Sequence, residues 1–166
     1  MSTAFRVGYG YDVHRLVTGR PLVLGGVEIP FHLGLAGHSD ADVLVHAVMD
    51  AMLGAAALGD IGRHFPPGDP EYRDISSIEL LARTGRLLHE AGYVLSNVDA
   101  TVVCQAPRLA PYIEGMRRAM AETAGVDVDR VSVKATTTEG LGFTGTGEAI
   151  AASAVVLVEA AGGATD

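Results

Sequence analysis

Asp12 and His14 stand two residues apart in the segment AFRVGYGYDVHRL, residues 4–16. On an extended strand alternate side chains point to the same side, so the pair forms a two-donor platform. His46, inside an apolar stretch of helical character, can add a second imidazole. One carboxylate and two imidazoles suit a zinc ion with one coordination position left open for substrate. Spacing alone leaves another reading open, because one satisfied core histidine with two surface groups gives the same pattern. Five histidines (His14, His32, His38, His46 and His64) nevertheless crowd the first 64 residues beside Asp12, Asp40, Asp42 and Asp60, which makes metal chemistry worth testing.

Gly37-His38-Ser39-Asp40 places a histidine and a serine at the expected start of a helix, where unpaired N–H groups and partial positive charge can hold an anionic group. For Ser39 alone, simple capping explains the residue; His38 is harder to dismiss, since a cap does not need an imidazole. A second cluster runs from Lys134 to Glu148, KATTTEGLGFTGTGE. Its hydroxyls and glycines can wrap phosphate oxygens, and Glu139 can share a magnesium ion with them. An exposed strand with a glycine turn gives the same sequence. The stretch Asp60–Asp69 can form a loop over the site, although a helix-ending loop of turn formers reads the same, and Cys104-Gln-Ala-Pro-Arg-Leu can line a base pocket, although taken alone an ordinary strand-to-helix connection explains it better.

The elements that must position these groups follow from pattern. Residues 4–16 and the run PLVLGGVEI from Pro21 predict a β-hairpin. Asp40–Gly59 predicts a buried helix with Ser39 as N-cap, and Asp42, His46 and Asp50 recur on one stripe that something polar must meet. Ile75–Ala91 predicts a second helix stopped by Gly92, and Pro111–Ala124 a third stopped by Gly125. Strands are expected within Val94–Gln105, over Val131–Thr136 and in AIAASAVVLVEA, which begins at Ala149. The sum is one α+β domain over residues 1–166, a mixed β-sheet with helices packed on one face.

Composition bounds the function. Of 166 residues, 48% are hydrophobic and 19% charged, and the net charge is −8. Such a chain disfavours disorder, nucleic acid and anionic membrane, and an anionic substrate would need metal ions to reach it. Cys104 is the only cysteine, which excludes an internal disulfide. Neither a signal peptide nor a spanning segment is read, so a soluble cytoplasmic protein is expected.

The motifs G-Y-D-V-H, A-G-H-S-D-A-D, H-A-V-M-D-A-M-L-G-A-A-A-L-G-D-I-G, F-P-P-G-D-P, Q-A-P-R and K-A-T-T-T-E-G-L-G-F-T-G occur in this order. Together they resemble the 2-C-methyl-D-erythritol 2,4-cyclodiphosphate synthase family of non-mevalonate isoprenoid biosynthesis, over residues 6–158. The resemblance implies a homotrimer with active sites at subunit interfaces. It also implies conversion of 4-diphosphocytidyl-2-C-methyl-D-erythritol 2-phosphate to the cyclic diphosphate and CMP. By the same resemblance, Asp12, His14 and His46 bind Zn2+, and Glu139 holds a second divalent cation, Mg2+ or Mn2+. His38 and Thr137 match positions that orient and polarise the diphosphate. Substrate-lining positions are matched by Asp12, Val13, His14, His38 and Ser39, by Asp60, Ile61, Gly62, Phe65 and Asp69, by Cys104, Gln105, Ala106, Pro107, Arg108, Leu109 and Ala110, and by Thr136, Thr137, Thr138, Glu139 and Phe143.

Two positions depart from the family pattern. Pro67 stands where Asp is frequent, and Thr146 stands where some members carry an Arg that holds an isoprenoid diphosphate on the threefold axis, so that anchor is expected to be missing. The competing readings are a zinc-dependent phosphohydrolase using metal-bound water, and a trimeric protein that binds nucleotides or isoprenoid diphosphates without chemistry.

Overall fold

In the computed structural model, which describes residues 5–162, strand β1 (Phe5–Val17) lies directly beneath helix α1 (Val43–Ala55). A Cβ on Gly8 would stand 1.8 Å from the carbonyl oxygen of Ala51, and one on Gly10 1.9 Å from that of Ala47. Only glycine fits at either place, so helix backbone rests on strand backbone. The even-numbered face of β1 therefore looks at α1, and Asp12 and His14 share it. The odd-numbered residues Val7, Tyr9, Tyr11 and Val13 turn the other way and are 67%, 63%, 50% and 40% exposed.

The main sheet has the order β4 (Gly34–Leu35), β1, β7 (Ala149–Ala160), β5 (Tyr93–Val103) and β6 (Val131–Thr136). All neighbours are antiparallel except β5 and β6, which are parallel. Consequently β1, β5 and β6 run in one direction. Val13 pairs with Ala151, Ala151 with Val103, and Val103 with Thr136. The chain thus leaves β5 at Cys104 and β6 at Thr137 at the end of the sheet that carries Asp12 and His14. After the single-turn helix α2 (Ile61–His64), helices α3 (Ser77–Glu90) and α4 (Ile113–Ala124) join α1 over the sheet, burying Val98, Ala100, Val102, Ala152, Ala154 and Val156. A mixed sheet with helices packed on it is the fold class that the pattern of elements predicts.

Local structure departs from expectation in three places. Residues 21–29 do not pair with β1: Leu22–Leu24 (β2) pairs with Val27–Ile29 (β3) through the two-residue turn Gly25-Gly26, both at positive φ, and β1 takes β4 as its neighbour instead. Two glycines between short apolar runs are a hairpin signal in their own right. The N-cap of α1 is Asp42, not Ser39, because Ala41 adopts φ +58° and the chain is not helical before it. Asp42 is fully buried and accepts from the backbone N–H groups of Val45, Gly25 and Gly26, tying the hairpin turn to the helix start. Burial pushes its carboxyl up to about 6 against those donors. The polar stripe on α1 thus splits: Asp42 holds the hairpin, Asp50 accepts from the N–H of Ile61, and His46 faces β1. Finally, α1 ends at Ala55, short of Gly59, and Pro111 sits in a 3-10 turn before α4, which Gly125 closes in the left-handed region as expected. Ala4, where the first strand was expected to start, lies outside the described residues.

The close approach of α1 to β1 predicts that Gly10→Ala lowers stability by about 1–3 kcal/mol, the usual cost of overpacking, and moves His46 away from Asp12, so that any divalent cation they share is held more weakly. Urea unfolding together with zinc titration checks both effects.

Candidate metal centre and adjoining cavities

The Gly8 and Gly10 contacts set α1 so that His46, one residue before Ala47, reaches the even face of β1. Asp12 Oδ2 lies 2.9 Å from His14 Nε2 and 3.1 Å from His46 Nδ1, and the two nitrogens are 3.2 Å apart. Among the described residues, this is the group of His, Cys, Asp and Glu side chains whose ligand atoms converge closely enough to hold a metal ion.

Hydrogen bonding assigns the ring protons. His14 Nδ1 lies 2.6 Å from the Ala36 carbonyl oxygen, which can only accept, so Nδ1 carries the hydrogen and Nε2 is bare. On His46, Nε2 faces the hydroxyl oxygens of Ser77 at 3.0 Å and Ser39 at 3.3 Å, while Nδ1 faces Asp12. The bare Nε2 of His14, the Nδ1 of His46 and the Asp12 carboxylate therefore meet at one point, with the other ring nitrogens engaged elsewhere. That arrangement fits a divalent cation, and the outer hydrogen bonds orient the rings as metal-ligand histidines require. Without a cation the repulsion is relieved by a proton. Burial of Asp12 favours its neutral form, but the hydrogen bond and positive charge of the protonated His14 ring overcome it and hold the carboxyl at about 2. Burial of His14 disfavours its cation, and the Asp12 carboxylate reverses this and raises its pKa above 6.5.

A cavity of about 230 Å³ opens beside the three ligands. His38 and Ser39 form one wall, with Ile61, Gly62, Phe65 and Pro67 opposite. Arg20 clamps the loop that carries His38, donating to the carbonyls of Gly37 at 3.0 Å and Ser39 at 2.5 Å. His38 Nε2 is 3.0 Å from the Asp69 carbonyl oxygen. Asp60 and Asp69 turn their carboxylates to local backbone N–H groups, of Arg63 and Glu71 respectively, and act as caps.

The second predicted cluster sits elsewhere. Cys104, Gln105, Pro107, Arg108, Leu109, Ala110, Thr136 and Thr137 line a separate cavity of about 320 Å³. It lies at the ends of β5 and β6, two to three strand spacings across the sheet from β1, roughly 10–14 Å at the usual separation. Each cavity is near or below the small end of ligand sites, about 300 Å³. Burial pushes the Cys104 thiol up to about 11, which leaves it a neutral wall. Glu139, at φ +53°, is exposed; its carboxylate accepts from the Thr137 hydroxyl at 3.3 Å, and no metal-ligating group of the first cluster is near it. Thr138 Oγ1 lies 2.9 Å from Thr144 Oγ1. Val13 is directed away from His14, onto the open sheet face, where it lines a third cavity with Arg15 and Phe143. Thr146 donates to the Phe143 carbonyl and Glu148. Sequence reasoning missed Arg20 and Ser77, which act across long sequence separations and carry no local signature.

A model of the YgbB family matches residues 5–159. The 2-C-methyl-D-erythritol 2,4-cyclodiphosphate synthase of Moorella thermoacetica is 65% identical over 153 residues, covering 92% of this chain and 94% of its own. That of Pelotomaculum thermopropionicum is 63% identical over 157 residues, covering 95% and 97%. Among solved structures, the bifunctional IspDF of Campylobacter jejuni matches with a TM-score of 0.90 and 42% identity over 94% of this chain and 42% of that longer one. A CDP-bound 2C-methyl-D-erythritol-2,4-cyclodiphosphate synthase matches with a TM-score of 0.85 and 37% identity, covering 93% and 100%.

The raised pKa of His14 predicts a pH dependence with a definite sign. A proton held by His14 competes with a bound divalent cation, so affinity for such a cation, with zinc as the probe, falls as pH is lowered, beginning above the ordinary imidazole value of 6.5. Asp12→Asn removes the carboxylate that holds this proton; its zinc affinity should be weaker throughout and its acid-induced fall displaced to lower pH. Zinc competition titrations from about pH 8 to about pH 5.5 measure both.

Proposed function

The chain belongs to the YgbB family of 2-C-methyl-D-erythritol 2,4-cyclodiphosphate synthases, and from that membership we propose the reaction its residues carry out. It is an enzyme of isoprenoid biosynthesis. The substrate is 4-diphosphocytidyl-2-C-methyl-D-erythritol 2-phosphate. An oxygen of the 2-phosphate forms a bond to the β-phosphorus while the bond between the β-phosphorus and the bridging oxygen breaks. CMP leaves with that bridging oxygen, the cyclic diphosphate remains, and no water enters.

The observation that carries this reading is the convergence of three anionic or lone-pair donors on a cavity with no cation of its own. Asp12, His14 and His46 would hold Zn2+, and Glu139, a single carboxylate beside hydroxyls and backbone N–H groups, would hold Mg2+ or Mn2+ together with substrate phosphates. Bound there, the two cations supply the charge neutralisation that an acidic chain otherwise lacks. The residues themselves provide orientation. His38, on a loop clamped by Arg20, presents an imidazole to the phosphates, and the Ser39 hydroxyl can donate to the same group. Thr137 donates toward the other side of the diphosphate. Ile61, Gly62 and Phe65 wall in the erythritol portion and limit access of water. Residues Cys104–Ala110 and Thr136–Thr138 line the cytidine and its phosphate. Catalysis in this scheme is mainly alignment of the nucleophilic oxygen with the leaving group.

His38 and Thr137 lie in different cavities of one chain, so both can act on one diphosphate only where two chains meet. The open sheet face, with Val7, Tyr9, Tyr11 and Val13, offers the surface for that meeting. A homotrimer whose active sites lie between subunits satisfies both observations. Cytoplasmic location fits the pathway; no helix of the described residues is long and apolar enough to cross a membrane.

Phosphorus NMR of the products, with the reaction run in oxygen-18 water, tests the assignment. Cyclic diphosphate and CMP free of the heavy isotope are expected. A linear product carrying oxygen-18 would identify a hydrolase instead, and recovery of unchanged substrate would leave only binding.

A further inference from the structure

We propose that Ser77, held by Asp40, is a positioning residue that selects the tautomer of His46 whose Nδ1 faces the metal; this rests on reading Asp12, His14 and His46 as a zinc site. Ser77 opens α3 and is completely buried. Its hydroxyl donates to Asp40 Oδ1 in a short, charge-assisted contact of 2.5 Å, and its backbone N–H donates to Asp40 Oδ2 at 2.9 Å. The Asp40 carboxylate also accepts from the N–H of Asp42 at 3.1 Å, so it is fixed on three sides and can only accept. With its own hydrogen committed to Asp40, the Ser77 oxygen can only accept from His46 Nε2, 3.0 Å away. The proton on His46 is therefore placed on Nε2, and the lone pair is left on Nδ1, beside Asp12 and His14.

Ser39 also touches His46 Nε2, at 3.3 Å, but its hydroxyl is differently placed. It accepts from the N–H of Ala41 at 3.1 Å, and its own hydrogen is not tied to a carboxylate. Ser39 can therefore either accept from Nε2 or donate to it, and it does not decide between the two ring forms. Ser77 does. The relay reaches across the fold, since Asp40 precedes α1 and also receives the first N–H of α3. The neighbouring contacts bind these segments together, with the Asp40 N–H donating to Ile75 and the Asp74 N–H to His38. A histidine ligand on one helix is thus oriented by the first residue of another.

The test compares the full-length wild type with Ser77→Ala and Ser39→Ala. Zinc affinity is measured by competition with a chromophoric chelator, and the ring form of His46 by long-range nitrogen-15 NMR of the zinc-free protein. Unfolding is followed alongside. Ser77→Ala should lose roughly 10–100-fold in zinc affinity, the usual effect of removing an outer hydrogen-bond partner, and should show His46 as a mixture of both ring forms. Ser39→Ala should keep the Nε2–H form and remain within roughly threefold of wild-type zinc affinity by the same comparison. A Ser77→Ala protein with wild-type zinc affinity and a single Nε2–H form overturns the relay, even if its stability falls. A wild type that binds no zinc overturns the metal site itself.

Discussion

The contact between the α1 backbone and the glycines of β1 governs the site. At Gly8 and Gly10 the helix carbonyls of Ala51 and Ala47 occupy the space that a Cβ would need. Any side chain there would lift the helix, and His46 would be carried away from Asp12 and His14. Because strand and helix are both regular, two close contacts fix the position of the next turn along the helix and the next pair along the strand. The ligands are thus placed by rigid elements and do not depend on loop conformation.

Electrostatics completes what packing begins. Asp12 Oδ2, His14 Nε2 and His46 Nδ1 converge at one point, and each ring has its other nitrogen engaged, by a carbonyl at His14 and by hydroxyls at His46. Such an arrangement is unfavourable alone and favourable around a cation, in keeping with a protein of net charge −8 that handles a phosphorylated substrate. Nearby, Asp42 shows how a buried carboxylate is kept when backbone N–H groups surround it. It joins the β2–β3 hairpin to the start of α1, and so supports the helix from its other end.

Much of this was legible in the residues. Alternation placed Asp12 and His14 on one side of a strand, and the spacing of Asp42, His46 and Asp50 placed them on one stripe of a helix, because both periodicities are local. The N-cap was misassigned to Ser39 because the positive φ of Ala41 has no sequence mark: alanine rarely adopts it and does so here under tertiary constraint. The Gly25-Gly26 turn was visible and overlooked, and with it the separate hairpin. The pair Gly8 and Gly10 carries a sequence signal, since glycine in a strand often marks a close backbone approach, but which element approaches is fixed only by the fold. Ser77 and Arg20 could not be found from sequence, since their partners lie 31 residues and 17–19 residues away and depend on how loops return.

The strand directions divide the machinery. β1, β5 and β6 run in one direction, so Asp12 and His14 lie at the same end of the sheet as Cys104 and Thr137, yet β6 remains three strand spacings from β1, roughly 14 Å. The proposal of a site composed from two chains rests on that separation. Subunit complementation tests this most directly: His46→Ala and Thr137→Ala, each inactive alone, are co-expressed and the mixed assemblies assayed. If one chain supplies the metal ligands and its neighbour the Thr137 side, about a quarter of the sites in a randomly mixed ring are intact, and activity should return to about that fraction of wild type. Activity no higher than that of either parent would show that each site is built within a single chain and would contradict the account.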